Sequence, residues 1–157
     1  LARAAQGAQL GRDERHHCQV LGGAAVKVTL DTNVLVRLAT QDDPAQAALA
    51  LRVLQKASLI AVPTPALCEM VWVLLRGYRY TPAQVAHALR TLLQVRQVVC
   101  NTPTVLAGLA QLDRGGDFAD GAIAAEGELL GGTEFVSFDQ QAIQLLKAQK
   151  RKARLLG

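Results

Sequence analysis

Apolar positions along this chain switch repeatedly between short unbroken runs and a helical spacing of three and four. Val26 to Leu30 (VKVTL) is a β-branched run ending at Asp31, and Asn33 to Ala39 then takes up helical spacing. Asp42-Asp43-Pro44 supplies an N-cap and a first-turn proline for a helix reaching about Lys56. Ser58 to Val62 (SLIAV) reads as a second strand, closed by Pro63 and Pro65. Leu67 to Leu75 is predicted helical, with Val71, Leu74 and Leu75 on one face, and Thr81-Pro82 opens another helix to about Gln94. Gln97 to Cys100 (QVVC) is the third strand. Asn101-Thr102-Pro103 begins a helix that Gly115-Gly116 breaks, and Asp117 to Leu130 forms the next before Gly131-Gly132. Thr133 to Phe138 (TEFVSF) is the fourth strand, and a final helix is predicted from Gln140 into the C-terminal tail.

Strands alternating with helices imply a mainly parallel sheet covered by helices, because parallel strands need crossover connections. The chain has 157 residues, half of them hydrophobic, which suits one domain with an aliphatic core. Residues 1 to 25 keep no period and end beside Gly22-Gly23; they are expected to be a disordered or non-native extension, and the domain is expected to span 26 to 157. His16, His17 and Cys18 lie in that extension without a second ligand pair at fixed spacing, so no function is assigned to them. Three cysteines without a C-x-x-C pair indicate neither a disulfide framework nor a zinc site. No apolar run approaches the roughly 18 residues of a membrane span, and no signal-peptide pattern is present. A reducing cytoplasm is the expected location, with no membrane partner.

Charge is divided unevenly. Five cations and no anions occupy residues 147 to 157, whereas residues 27 to 146 hold nine Lys or Arg against eleven Asp or Glu. The basic tail is explained by a solvated helix end, where cations complement the helix dipole, or by contact with a polyanion.

In parallel sheets ligands sit at the carboxyl ends of the strands, and acids stand at the matching places here. Asp31 follows the first strand, Glu69 lies early in the helix after the second, Asp117 and Asp120 open the helix before the fourth, and Asp139 follows the fourth. Taken singly, each could be a helix cap or first-turn acid. Together they would repel one another unless protons or cations offset the charge, so at least one is expected to hold its proton unusually tightly. The cation that carboxylates and water favour is Mg²⁺ or Mn²⁺. No Cys–His pair, G-x-S-x-G or P-loop offers a competing nucleophile or phosphate cradle. Metal-assisted hydrolysis is the chemistry that an acid cluster without a nucleophile supports.

Four stretches then resemble, in order, the motifs of PIN-domain ribonucleases and specifically the VapC toxins of type II toxin-antitoxin systems: Leu30-Asp31-Thr32-Asn33, Glu69-Met70-Val71-Trp72, Asp117-Phe118-Ala119-Asp120-Gly121, and Ser137-Phe138-Asp139. The resemblance covers residues 26 to about 150. It implies a three-layer α/β/α fold with a mainly parallel central sheet of four or five strands, and Mg²⁺- or Mn²⁺-dependent endoribonuclease activity. It also implies a VapB-type antitoxin partner and a homodimer.

Carried over by residue, Asp31, Glu69, Asp120 and Asp139 would be the catalytic and metal-holding acids, with Asp117 auxiliary. Asn33 would orient Asp31, and Ser137 would hydrogen-bond a carboxylate or the scissile phosphate. Gly121 stands where the family usually has Ala, at a helix-propensity cost of about 1 kcal/mol. Trp72 is expected in the core rather than as a base-stacking platform. Arg37, Arg76, Lys150, Arg151 and Lys152 are the candidate RNA-contacting cations. Two rival functions are a different Mg²⁺-dependent phosphohydrolase and a catalytically silent binding module. The first would want a second Asp where Asn33 stands, and the second is hard to reconcile with four intact acids.

Overall fold

The computed structural model describes residues 25–157. The expected N-terminal extension, with its His16-His17-Cys18 cluster, therefore lies outside the described residues apart from Ala25. The element order is β1 (Lys27–Thr29), α1 (Thr32–Thr40), α2 (Pro44–Lys56), β2 (Leu59–Ala61), α3 (Thr64–Trp72), α4 (Pro82–Leu93), β3 (Val98–Val99), α5 (Thr102–Leu112), α6 (Phe118–Leu129), β4 (Phe135–Ser137), α7 (Gln140–Ala148) and β5 (Ala153–Leu155). A π-helical turn, Val73–Gly77, extends α3.

Every strand pair is parallel. β1, β2 and β3 form one sheet in that order, with Val28 opposite Ile60 and Ile60 opposite Val98. β4 and β5 form a separate ladder, with Phe135 opposite Ala153 and Ser137 opposite Leu155. The expectation of one central sheet of four or five strands is thus corrected to a three-strand sheet and a two-strand ladder. The strands are two or three residues long, so each edge offers very few backbone groups, and small offsets between neighbours are enough to interrupt a ladder.

The tail is corrected as well. Helix α7 stops at Ala148, Lys150 takes a left-handed φ of 62°, and the chain turns back so that Ala153–Leu155 runs beside β4. Lys147 therefore ends a helix, while Lys150, Arg151 and Lys152 lie in the turn before β5 and Arg154 lies within it.

Aliphatic side chains fill the main core between sheet and helices, with Leu35, Ile60, Leu67, Leu74, Leu89 and Phe118 almost wholly buried. A smaller cluster of Ala124, Ile143, Leu146 and Ala153 seats α7 and β5 on α6. Gln111, fully buried on α5, accepts a hydrogen bond of 2.6 Å from Gln149 Nε2 and donates to the Ala142 carbonyl at 3.5 Å, which ties both ends of α7 to α5.

Helices α5 and α6 approach closely because small residues face each other. A Cβ on Gly108 would stand 2.6 Å from the Phe118 ring, and one on Gly121 would drive into the Ala107 carbonyl oxygen. Gly115, at φ 81°, reverses the chain between the two helices. The propensity cost expected at Gly121 is therefore outweighed by packing: alanine would gain about 1 kcal/mol of helix propensity but force the helices apart. Gly127, in the same helix, has nothing within 4 Å of its would-be Cβ. Thermal denaturation should separate the two: Gly121→Ala lowers Tm, whereas Gly127→Ala raises it or leaves it unchanged. Equal gains at both positions would contradict the packing argument.

Candidate active site

Asp31 and Asp139 sit where strands hand over to helices, Asp117 and Asp120 at the turn from α5 into α6, and Glu69 within α3. Asp31 caps α1 and its Oδ1 accepts from the Thr32 amide at 2.8 Å. Asp117 caps α6, accepting from the Ala119 amide at 2.8 Å, and Asp139 caps α7, accepting from the Ala142 amide at 2.9 Å. Three of the five acids therefore do fill the capping role that sequence alone allowed. Capping orients each carboxylate without exhausting its acceptors, since a carboxylate offers about four lone-pair sites.

Asp117, Asp120 and Asp139 line one cleft of about 330 Å³, which Gly115, Gly116, Gln141, Arg76 and Trp72 also border. Asp120, half-buried in the first turn of α6, has its carboxyl pushed up to about 6 by burial, then by the charge of Asp117, then by that of Asp139. One acid thus holds its proton unusually tightly, as the crowding of carboxylates requires.

Asp31 and Glu69 form a second group. Glu69 lies in the second turn of α3, deeper than expected, because that helix begins at Thr64. Its Oε2 accepts a 2.6 Å hydrogen bond from the hydroxyl of Thr32, a mostly buried residue beside Asp31. The Cys68 thiol, next to Glu69 in sequence, is raised first by burial and then by the charges of Asp117 and Glu126. Asp31 and Glu69 do not line the cleft of the three aspartates. Among the described residues, no three His, Cys, Asp or Glu crowd into a single ion cage.

Thr32 is the residue sequence reasoning missed. Its signal was a hydroxyl at the first position of a helix, directly after an acid. Asn33, expected to orient Asp31, lines a separate groove with Val34, Arg37 and Leu49. Ser137 Oγ accepts from the Asp139 amide at 3.0 Å, which leaves its own proton free to donate.

The candidate cations divide. Arg76 borders the acid cleft. Arg37 is engaged with Asp42 at 2.7 Å, with Gln46 at 2.9 Å and with the Tyr78 hydroxyl at 3.0 Å. Arg151 pairs with Glu128 at 2.6 Å. Lys150 and Lys152 are exposed. Trp72, expected in the core, is 62% exposed and borders the cleft, which corrects that expectation. The cause is helix register: Trp72 and Arg76 are four residues apart on the cleft side, while Leu67, Met70, Val71 and Leu74 take the buried places.

The domain is thus an α/β scaffold with carboxylates at the starts of several of its helices. The PIN domain model matches residues 28–148, and the chain belongs to the PIN domain family. PIN domains are generally a nuclease fold, typically metal-dependent, and PIN nucleases act on RNA. No curated protein matches the chain significantly. None of the described helices is long and apolar enough to cross a membrane.

The raised Asp120 carboxyl sets a pH dependence. Between the unfolded value near 3.8 and the folded value near 6, the native state binds more protons than the unfolded state, so this group's contribution to stability falls as pH rises through that window. Asn at 120 resembles the protonated form. In chelator, Asp120→Asn should melt above the wild type at pH 7.5, with the difference vanishing near pH 4. An equal Tm difference at both pH values would show that Asp120 carries no such strain.

Proposed function

We propose that this PIN domain is a Mg²⁺- or Mn²⁺-dependent endoribonuclease of the VapC toxin kind, hydrolysing RNA phosphodiester bonds. The observation that carries the proposal is the cleft that Asp117, Asp120 and Asp139 share, where burial first and then the charges of Asp117 and Asp139 raise the proton affinity of Asp120. A site of hard oxygen donors with surplus negative charge, and no nitrogen or sulfur ligand, fits Mg²⁺ or Mn²⁺. Asp31, Glu69, Asp120 and Asp139 would hold the ion, with Asp117 auxiliary at the cleft. When bound, it would supply Lewis acidity for activating water and for neutralising charge on the phosphodiester.

The chain's own residues prepare that site. Amides at the starts of α1, α6 and α7 hold Asp31, Asp117 and Asp139 in place, and Thr32 holds Glu69. Ser137 fixes the backbone at Asp139 and keeps a proton to donate to a carboxylate or phosphate oxygen. The acids repel RNA, so approach depends on nearby cations. Arg76 at the cleft and the exposed Lys150 and Lys152 are free to serve, whereas Arg37 and Arg151 must first give up Asp42 and Glu128. The same acid field suits a basic side chain from a VapB-type antitoxin, most readily an Arg, whose guanidinium meets carboxylates in a two-pronged geometry. The proposal includes a homodimer in a cytoplasmic setting.

RNA cleavage assays test this reading. Purified protein should cleave RNA with Mg²⁺ or Mn²⁺ and stop in EDTA. Asp31→Asn, Glu69→Gln and Asp139→Asn should each lower the rate on the order of 100-fold or more, yet remain folded, because Asn caps a helix about as well as Asp and Gln still accepts from Thr32. Wild-type rates in all three variants, or metal-independent cleavage, would overturn the assignment.

A further inference from the structure

Three carboxylates in a cleft repel a polyanion until cations offset them, so contacts that do not depend on charge would add to affinity for RNA. Trp72 offers one. It is 62% exposed on the cleft side of α3, with Val71, Leu75 and Pro82 as apolar neighbours and Arg76 one turn further on. An indole left this open loses burial that a core position would have supplied, which is unusual in a chain with a single tryptophan and an otherwise aliphatic core. A second ring, Phe138, is 79% exposed and immediately precedes the cleft-lining Asp139.

We propose that Trp72 is a substrate-binding residue, stacking an unpaired nucleobase at the rim of the acid cleft while Arg76 pairs with the adjoining phosphate. This rests on the nuclease reading above. Aromatic faces hold bases without any charge requirement and tolerate many sequences, and unpaired bases can splay out to reach them. A cleft of about 330 Å³ has room for a single splayed nucleotide.

Two readouts test the proposal. In cleavage kinetics with Mg²⁺ on an unstructured RNA, Trp72→Ala should raise KM by roughly 5- to 150-fold, the range that stacking one base spans, with kcat within about twofold. Trp72→Phe should restore most of the affinity. Trp72 is also the only tryptophan, so its emission reports contact directly. In the Asp120→Asn protein with Mg²⁺, a base-bearing RNA should quench that emission saturably, and an abasic oligonucleotide of equal phosphate number should not. Unchanged KM in Trp72→Ala, or equal emission responses to the two oligonucleotides, would overturn the stacking role while leaving the nuclease assignment intact. Base-dependent quenching without cleavage by the wild type would overturn the nuclease assignment instead.

Discussion

Mutual repulsion among Asp117, Asp120 and Asp139 is the constraint around which this domain is arranged. Three like charges bordering one cleft stay together only if the scaffold holds them there, and the proton affinity of Asp120 is raised first by its burial and then by the charges of Asp117 and Asp139. The scaffold's means are ordinary. Each capping aspartate exchanges part of its charge for an amide of the helix it starts, and the positive end of the helix dipole offsets more. Asp120, in the first turn of α6, shares the dipole but caps nothing and is the most buried of the three. A structure that tolerates one costly carboxylate has a reason to be completed by a cation.

Rigidity follows from packing next to the cleft. Gly108 and Gly121 let α5 and α6 meet at backbone distance, and the turn at Gly115 brings Asp117 into place directly after α5. Gln111 then anchors both ends of α7, and with them the backbone at Asp139. On the other side, the Thr32 hydroxyl joins α1 to α3 through Glu69. Asp31, Asp117 and Asp139 are thus each held at the start of a helix, and Glu69 within α3, by a hydrogen bond from outside the acid group.

The sequence made much of this visible and hid some of it for identifiable reasons. Asp31 and Asp139 were legible because they follow β-branched runs and precede helical spacing. Asp117 and Asp120 were legible because a glycine pair comes before them. Strand β5 was not legible: Ala153-Arg154-Leu155 follows a run of cations that continues a helical tail equally well, and only its ladder with β4 makes it a strand. The split of the sheet depends on small offsets between very short strands, which no period encodes. Gly121 looked like a propensity defect because propensity is local, whereas its value lies in the Ala107 carbonyl opposite. Trp72 is predicted in the core by its apolarity and by its place at a hydrophobic position of the resemblance. Its spacing of three from Glu69 already placed it near the acids, but the start of α3 at Thr64 was needed to fix the face.

The claim that surplus negative charge at the cleft makes this a cation-dependent site is tested most directly by following the Asp120 side-chain carboxyl by NMR as pH is varied, with chelator and then with Mg²⁺. The account predicts a midpoint of about 6 in chelator, falling into or below the ordinary carboxylate range when Mg²⁺ is added, because a bound cation favours the ionised form. An Asp120 midpoint near the ordinary value in chelator, unmoved by Mg²⁺, would contradict it.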